Sequence, residues 1–331
     1  MEKEPRTTPF APGSMVADRY EIRCLLGKGG MGQVFLAYDH RLERDVALKT
    51  MKRQFTYEHD SVARFEREVR LVRQLDHPGI VKLYETCNWK GLLFYTMEYV
   101  EGKTLRCLLR EQQRLDLPAA VNVLCQVCDA LAHAHKVTIH RDLSPDNIMV
   151  LPDGSVRLLD FGLAKLDDRF SGLTLIGSNI GKLRYMAPEQ ELNAAAVDRR
   201  ADLYSLGIIF YELLVGRTPA PGKKITSLRP ELPRETEKFF RRVLAQKPAD
   251  RCYSAREFRE ELQNLLRLYE ERGTATFASR LRKFIRDNAL FRFLFRTDAK
   301  NARRAADGRE ASGSGSGSRK EASRTGGRRG T

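Results

Sequence analysis

The stretch His140–Asn147, HRDLSPDN in one-letter code, decides the fold of this chain. It contains an acid that can act as a base, Asp142, and five residues later an amide that can ligate a cation, Asn147. An apolar run, a Pro-Asp-Gly turn and a second apolar run follow, and they lead into Asp160–Gly162, DFG. The stretch therefore brings a candidate base and a candidate metal ligand together within one short loop.

His-Arg-Asp-Leu, an Asn four residues further on and a following Asp-Phe-Gly resemble the catalytic loop and metal-binding motif of eukaryotic-like protein kinases. Pro145 resembles serine/threonine rather than tyrosine kinases, and the glycine-rich loop and the Ala-Pro-Glu-Gln run resemble the bacterial, Hanks-type members. The resemblance extends from residue 20 to residue 270. It implies an α+β, bilobal protein kinase fold, with a small β-rich N-lobe that carries one main helix and a large, mostly helical C-lobe.

Composition and resemblance together divide the chain into four parts. They are a flexible leader (1–17), a kinase domain (18–272, with the N-lobe at 18–98 and the C-lobe at 101–272), a basic amphipathic segment (273–296) and a disordered basic tail rich in Gly and Ser (297–331).

A glycine-rich loop, GKGGMG, lies at residues 27–32 between two strand-like runs. A lone Gly-x-Gly-x-x-Gly is a weak signal, and a dinucleotide site requires a helix after the glycines. Because a β-rich run starting at Val34 follows instead, the pattern predicts strand, loop and strand. That order is typical of the loop that covers the phosphates in kinases.

Lys49 ends a Val-Ala-Leu-Lys run, and the resemblance implies that it contacts the α- and β-phosphates of ATP. Apolar spacing predicts an amphipathic helix over 61–75, which must supply a glutamate to pair with Lys49. Glu66 and Glu68 compete for this role, and the family alignment favours Glu68.

The resemblance also implies the remaining site residues. Asp142 is the base or orienter of the substrate hydroxyl, Asn147 and Asp160 bind Mg²⁺, with Mn²⁺ as an alternative, and Met97 is the gatekeeper. The residues expected to bind ATP are Leu26, Gly27, Gly29, Gly30, Gly32, Val34, Ala47, Lys49, Met97, Glu98, Val100 and Met149.

Ser144 departs from the family, which places a lysine two residues after the catalytic Asp. A second departure is Lys182, which follows Gly181 where the family has a threonine. In the family these two positions face each other across the catalytic Asp. We therefore expect that Lys182 reaches back over Ser144 and supplies the cation from the opposite side, so that it counts among the catalytic residues. The alternative is that the two substitutions are unrelated and the enzyme is slow.

The activation segment of the resemblance runs from Leu163 to Met186. Its candidate phosphorylation sites are Thr174 first, then Ser171 and Ser178, with unmodified hydroxyls as the alternative. Further expectations are that Asp202 holds the catalytic-loop backbone, that Arg251 pairs with Glu189 and that the helix usually found between residues 216 and 242 is trimmed.

Charge is uneven along the chain. The net charge is +15, and residues 273–331 contain 15 Lys and Arg against 5 Asp and Glu. The basic, aromatic segment 279–296 fits docking on the kinase body, an anionic membrane surface or, least well, nucleic acid. Six scattered cysteines and the lack of an apolar signal core or membrane span favour a soluble cytoplasmic form. Cys125 and Cys128 have CxxC spacing, but we expect buried helix thiols rather than redox chemistry.

The expected function is that of a serine/threonine protein kinase that uses Mg-ATP, acts on protein substrates and autophosphorylates, with self-association for the reaction in trans. A pseudokinase that signals as a nucleotide-binding scaffold is the alternative, and Ser144 is its sole support. A small-molecule phosphotransferase is disfavoured by the intact Ala187-Pro188-Glu189 run and by Arg251.

Overall fold

A computed structural model describes residues 9–29, 32–51, 59–161, 180–192 and 197–272. Two groups of elements surround a cleft, as the two-lobed fold predicts. The helices and strands are β1 Met15–Val16, β2 Tyr20–Lys28, β3 Gln33–Asp39, β4 Arg44–Thr50, α1 His59–Arg73, β5 Leu83–Trp89, β6 Leu92–Glu98, β7 Lys103–Thr104, α2 Leu105–Gln112, α3 Leu117–Ala134, β8 Ile148–Val150, β9 Val156–Leu158, α4 Ile180–Leu183, α5 Pro188–Leu192, α6 Arg200–Val215, α7 Ile225–Leu228, α8 Glu235–Val243 and α9 Ala255–Glu271.

The small lobe is an antiparallel sheet in the order β1-β2-β3-β4-β6-β5. Strands β2 and β3 stay paired up to Lys28 opposite Gln33, so the glycine loop connects two adjacent strands and the dinucleotide alternative is excluded. Gly32 admits no side chain, because a Cβ there would lie 1.7 Å from the carbonyl oxygen of Thr50.

The leader predicted for residues 1–17 is wrong over its second half. Phe10 is buried, and its ring packs edge-on against Phe35 at 5.4 Å between ring centroids. Met15 and Val16 add a short strand to β2. The favourable free energy of burying an apolar side chain such as that of Phe10 exceeds the conformational entropy that the segment loses on ordering. Residues 9–16 therefore belong to the folded lobe.

Helix α1 packs against the sheet through Phe65, Val69 and Val72, which are all buried. This is the apolar face that the sequence predicted. Glu66 is exposed, whereas Glu68 is half-buried. The two glutamates thus differ in burial, and the choice of Glu68 as the partner of Lys49 stays a prediction.

The large lobe is built around α3 and α6, whose buried faces form its core. Among the described residues, α3 is the one helix long and apolar enough to cross a membrane, but 67% of it is buried inside the protein. Core packing therefore explains its composition. Cys125 and Cys128 lie on this helix as unbridged thiols, and burial raises the pKa of Cys125 to about 11, as expected for inert helix thiols.

The segment between α6 and α8 contains α7, a helix of four residues. This short turn agrees with the predicted trimming. The buried Arg229, which follows α7, donates to the carbonyl oxygens of Leu115 and Leu214 and so ties the segment to the ends of neighbouring elements.

Candidate functional site

The catalytic loop is anchored from below by the buried carboxylate of Asp202 on α6. Its two oxygens accept the backbone N–H groups of His140 and Arg141, each at 2.8 Å, and His135 contacts it at 2.9 Å. Burial alone would raise the pKa of Asp202, but these donors outweigh that effect and lower it. Arg141 has a positive φ of 61°, and the Asp202 bonds hold it in this costly conformation.

Asp142 and Asn147 meet inside the loop, as their spacing predicted. The Asn147 amide nitrogen donates to the backbone oxygen of Asp142 at 2.7 Å and to its carboxylate Oδ2 at 3.1 Å. Both residues are buried. The amide nitrogen therefore orients the candidate base, and the amide oxygen is a candidate cation ligand.

Lys182 reaches the same carboxylate from α4. Its Nζ lies 2.9 Å from Oδ2 of Asp142 and 3.4 Å from Oδ1 of Asn147. Burial would lower the pKa of Lys182, but the negative charge of Asp142 and their hydrogen bond raise it above its ordinary value. An ammonium group therefore lies beside the candidate base in this structure.

Ser144 lies 1% exposed in the loop. Among the described residues its hydroxyl has no hydrogen-bond partner. A buried hydroxyl without a hydrogen-bond partner lowers the stability of the fold. Hydrogen bonding therefore does not favour a serine at this position.

Asp160 is held by residues of the small lobe. Lys49 Nζ lies 2.6 Å from its Oδ2, and the hydroxyl of Tyr95 donates to its Oδ1 at 2.9 Å. Burial would raise the pKa of Asp160, but the charge of Lys49 and these bonds lower it. Phe161, the next residue, stacks on His140 with ring centroids 4.7 Å apart.

The expected pair between Lys49 and Glu68 is not formed. None of the ion pairs between described residues uses Glu68, and Lys49 pairs with Asp160 instead. The role of Glu68 stays a prediction.

The cleft between the lobes has a volume of about 1000 Å³. It brings together all the described residues predicted to bind ATP, and Gly30 lies outside the described residues. The N–H of Glu98 is already bonded to the carbonyl of Lys82, so a purine contact at Glu98 would use its carbonyl oxygen. The lining from this set comprises Leu26, Gly27, Gly29, Gly32, Val34, Ala47, Lys49, Met97, Glu98, Val100 and Met149.

The residues present fit a nucleotide with a divalent cation. Apolar side chains from Ala47 and Met149 line the cleft where a base could lie, and Lys49 supplies positive charge for phosphates. The carboxylate of Asp160 and the amide oxygen of Asn147 are hard oxygen donors of the type that Mg²⁺ prefers. No other metal-binding cluster of His, Cys, Asp and Glu occurs within the described ranges.

Sequence reasoning missed two residues of the site, Tyr95 and Arg106. Tyr95 follows an apolar strand pattern that carries no sign of its bond to Asp160. Arg106 on α2 contacts Glu212 at 2.9 Å, Tyr185 at 2.5 Å and Asp146 at 3.4 Å. The partners of Arg106 are 40 to 106 residues away along the chain, so no local pattern could have found them.

The expected ion pair between Arg251 and Glu189 is formed and fixes the end of the activation segment. Arg251 is 3% exposed, and its guanidinium binds Glu189 through two bonds of 2.6 and 2.8 Å. The predicted phosphorylation sites Ser171, Thr174 and Ser178 lie outside the described residues, as does Gly162.

The chain is similar to a described family and to several named proteins. The family model for the protein kinase domain matches residues 20–278. The serine/threonine-protein kinase PrkC of Bacillus subtilis is 32% identical over 283 residues, covering 79% of this chain and 43% of PrkC. The serine/threonine-protein kinase pkn3 of Myxococcus xanthus is 36% identical over 277 residues, covering 76% of this chain and 50% of pkn3. The chain thus spans half or less of these relatives.

A solved structure shows the same architecture. The crystal structure of the PknI kinase domain of Mycobacterium tuberculosis superposes with a TM-score of 0.64 and 28% sequence identity. The match covers 77% of this chain and 99% of that one. The two-lobed fold expected from the sequence is confirmed.

Proposed function

The chain belongs to the protein kinase family, and on that premise we propose that it is a serine/threonine protein kinase that transfers the γ-phosphoryl group of Mg-ATP to protein hydroxyls. The observation that carries this proposal is the cluster of Asp142, Asn147 and Lys182 at the floor of the nucleotide cleft. It combines a base, an oxygen ligand and a positive charge within hydrogen-bonding distance of one another. Phosphoryl transfer requires these three groups.

Asp142 receives or orients the proton of the attacking hydroxyl. Its carboxylate is held by the amide nitrogen of Asn147 and by the ammonium group of Lys182. A base that is fixed before the substrate arrives loses no free energy to reorganisation during the reaction.

Asp160 and Asn147 would hold the divalent cation, and Lys49 would contact the phosphates. The cation, Mg²⁺ with Mn²⁺ as an alternative, neutralises charge on the β- and γ-phosphates when it is bound. Lys49 is paired with Asp160 in this structure, so phosphate binding requires that it exchange this partner. Glu68, half-buried on α1, is then the carboxylate proposed to receive Lys49.

Lys182 takes the place of the family's loop lysine. Its ammonium lies 2.9 Å from the base, where charge develops on the transferring group. The serine at position 144 supports this exchange, because the loop position provides no cation of its own. A positive charge that originates from either side of Asp142 serves the same electrostatic purpose.

The protein substrates are proposed to include a second copy of this chain, phosphorylated on Thr174, Ser171 or Ser178. The proposed location is the cytoplasm, which the six unbridged cysteines support. The basic segment 279–296 is proposed to dock on the kinase body or on an anionic membrane surface, and nucleic acid is the weakest candidate.

Incubation of the full chain with Mg-ATP tests the function. We expect the wild type to incorporate phosphate on serine or threonine, and Asp142→Asn to lose roughly 10²–10⁴-fold in rate because the base is gone. Mass spectrometry would locate the sites, and mixing active protein with Asp142→Asn would show whether transfer occurs between copies. A wild type that binds ATP but incorporates nothing, alone or on a generic protein substrate, would favour the scaffold alternative.

A further inference from the structure

Tyr95 is a buried tyrosine whose single side-chain polar atom points at the metal-binding carboxylate. It is 2% exposed on β6, and its hydroxyl donates to Oδ1 of Asp160 at 2.9 Å. Lys49, its partner residue in the register of β4 and β6, holds the other oxygen at 2.6 Å. The small lobe thus grips both oxygens of Asp160 from neighbouring positions on adjacent strands.

The Tyr95 ring is packed in place, so its hydroxyl has a defined direction. Phe65 of α1 contacts the ring at 6.1 Å between centroids, and Lys49 Nζ lies 5.8 Å from its centre. Burial, followed by the negative charge of Asp160, raises the pKa of Tyr95 well above its ordinary value. The hydroxyl therefore stays a proton donor throughout the physiological pH range.

The bonds from Lys49 and from Tyr95 to Asp160 respond differently to nucleotide binding. Lys49 is needed at the phosphates, so its bond to Oδ2 must be released. Tyr95 has no other hydrogen-bond acceptor among its described contacts and no phosphate to reach, so its bond to Oδ1 can persist. Oδ2, where a cation is already held as the lysine ammonium, is then left for the divalent ion.

We propose that Tyr95 is a positioning residue for the divalent cation of the nucleotide, because it holds Oδ1 of Asp160 and keeps Oδ2 turned toward the cleft. This inference rests on the proposed function. Metal-ligating carboxylates depend on such outer hydrogen bonds, and removing one typically costs about 10–100-fold in metal affinity. A phenylalanine at this position would leave the carboxylate able to rotate once Lys49 departs.

The test compares the full-length wild type with Tyr95→Phe. The melting temperature is followed with ADP as MgCl₂ is titrated, and with ADP plus a chelator as the metal-free reference. We expect the half-point of the Mg²⁺-dependent rise to move about 10-fold higher in Tyr95→Phe. The shift caused by ADP without metal should be unchanged, because Tyr95 is proposed to act through the cation.

Tyr20→Phe is the matched control. Tyr20 is also fully buried in the same sheet, and its hydroxyl binds a carboxylate, that of Glu85, at 3.0 Å. Tyr20→Phe removes the same hydroxyl oxygen and a similar hydrogen bond, so its melting temperature should be lower than that of the wild type. The Mg²⁺ concentration at its half-point should equal the wild-type value. If Tyr95→Phe does not fold, Tyr95→Met, an apolar side chain of similar reach, carries the same comparison.

The outcomes separate the inference from the function it rests on. A wild-type Mg²⁺ half-point in the Tyr95 variant would overturn the inference alone. An equal increase in Tyr20→Phe would also overturn it, since the effect would then follow from general loosening of the sheet. A wild type whose melting temperature ignores both ADP and Mg²⁺ would overturn the proposed function and the inference together.

Discussion

The two sides of the cleft hold their charged groups in different ways. On the large-lobe side, Asp142 is fixed by Asn147 and Lys182 above the carboxylate of Asp202, so the base is assembled without a ligand. On the small-lobe side, Lys49 is paired with Asp160, the carboxylate proposed to bind the metal, and none of the described ion pairs uses Glu68. The large-lobe side, the floor of the site, is therefore preformed, whereas the proposed function requires Lys49 on the small-lobe side, the roof, to exchange its partner.

The largest expected effect comes from removing the ammonium group of Lys182, which lies beside Asp142. Lys182→Thr should lower kcat by about 10²–10³-fold, as loss of one preorganised charge-stabilising group does. Ser144→Lys in the same chain should restore at least part of this loss, since the vacated space lies beside Asp142. The measurement is kcat on a generic protein substrate, with melting curves as a check of folding.

Ser144→Lys alone should be impaired, because two ammonium groups would then compete for one carboxylate. The exchange hypothesis fails if the double variant is no more active than the weaker single variant. Wild-type activity of Lys182→Thr would also contradict the exchange hypothesis.

A smaller effect is expected from changing Glu68, on the small-lobe side of the cleft. Glu68→Gln should leave the melting temperature of the nucleotide-free protein nearly unchanged, because no described ion pair uses this side chain. It should lower kcat by roughly tenfold if Lys49 moves to Glu68 in the active state, a loss of about 1.4 kcal/mol in the transition state. Steady-state kinetics with Mg-ATP would measure this.

Glu66→Gln is the matched control for that change, since Glu66 lies on the exposed side of the same helix. Its kcat should equal that of the wild type. Equal losses in both variants, or none in Glu68→Gln, would contradict the assignment of Glu68 as the partner of Lys49.

The smallest effect concerns two histidines, the buried His140 of the floor and the half-buried His77. Burial lowers the pKa of each below the ordinary value of 6.5. The unfolded chain therefore binds more protons than the folded protein as the pH falls below 6.5, and stability is lost there. Melting temperatures measured between about pH 7.5 and 5.5 should fall by about 2–4 °C for each kcal/mol lost.

His77→Gln should show a smaller decrease over the same pH range, because one of the two groups is gone. His77 accepts the N–H of Gly79 at 2.9 Å, so the variant is first compared with the wild type at the upper end of that range. A pH dependence as steep as that of the wild type would assign the effect to His140 or to other groups.

Much of the site was readable from local spacing. The five-residue separation of Asp142 and Asn147, and the strand-loop-strand around the glycines, are set by short-range geometry and chain turns. Two departures from one family pattern, at Ser144 and Lys182, singled out Lys182 as a candidate cation, and its ammonium group lies 2.9 Å from the carboxylate of Asp142. The pairing of Lys49 with Asp160 rather than with the predicted Glu68 could not be read from the sequence, since the three groups lie on separate elements and only their final distances decide.

The sequence by itself determined the family through the resemblance of its motifs, and the order of the elements and the identity of the polar groups through residue type and periodicity. Tertiary structure alone decided which partner each charge takes. Tyr95 lies 65 residues from Asp160, Arg106 lies 106 residues from Glu212, and Phe10 finds its pocket on Phe35. Long-range packing brings such groups within roughly 3 to 6 Å, and at these distances electrostatic and dispersion energies change steeply with small shifts in position.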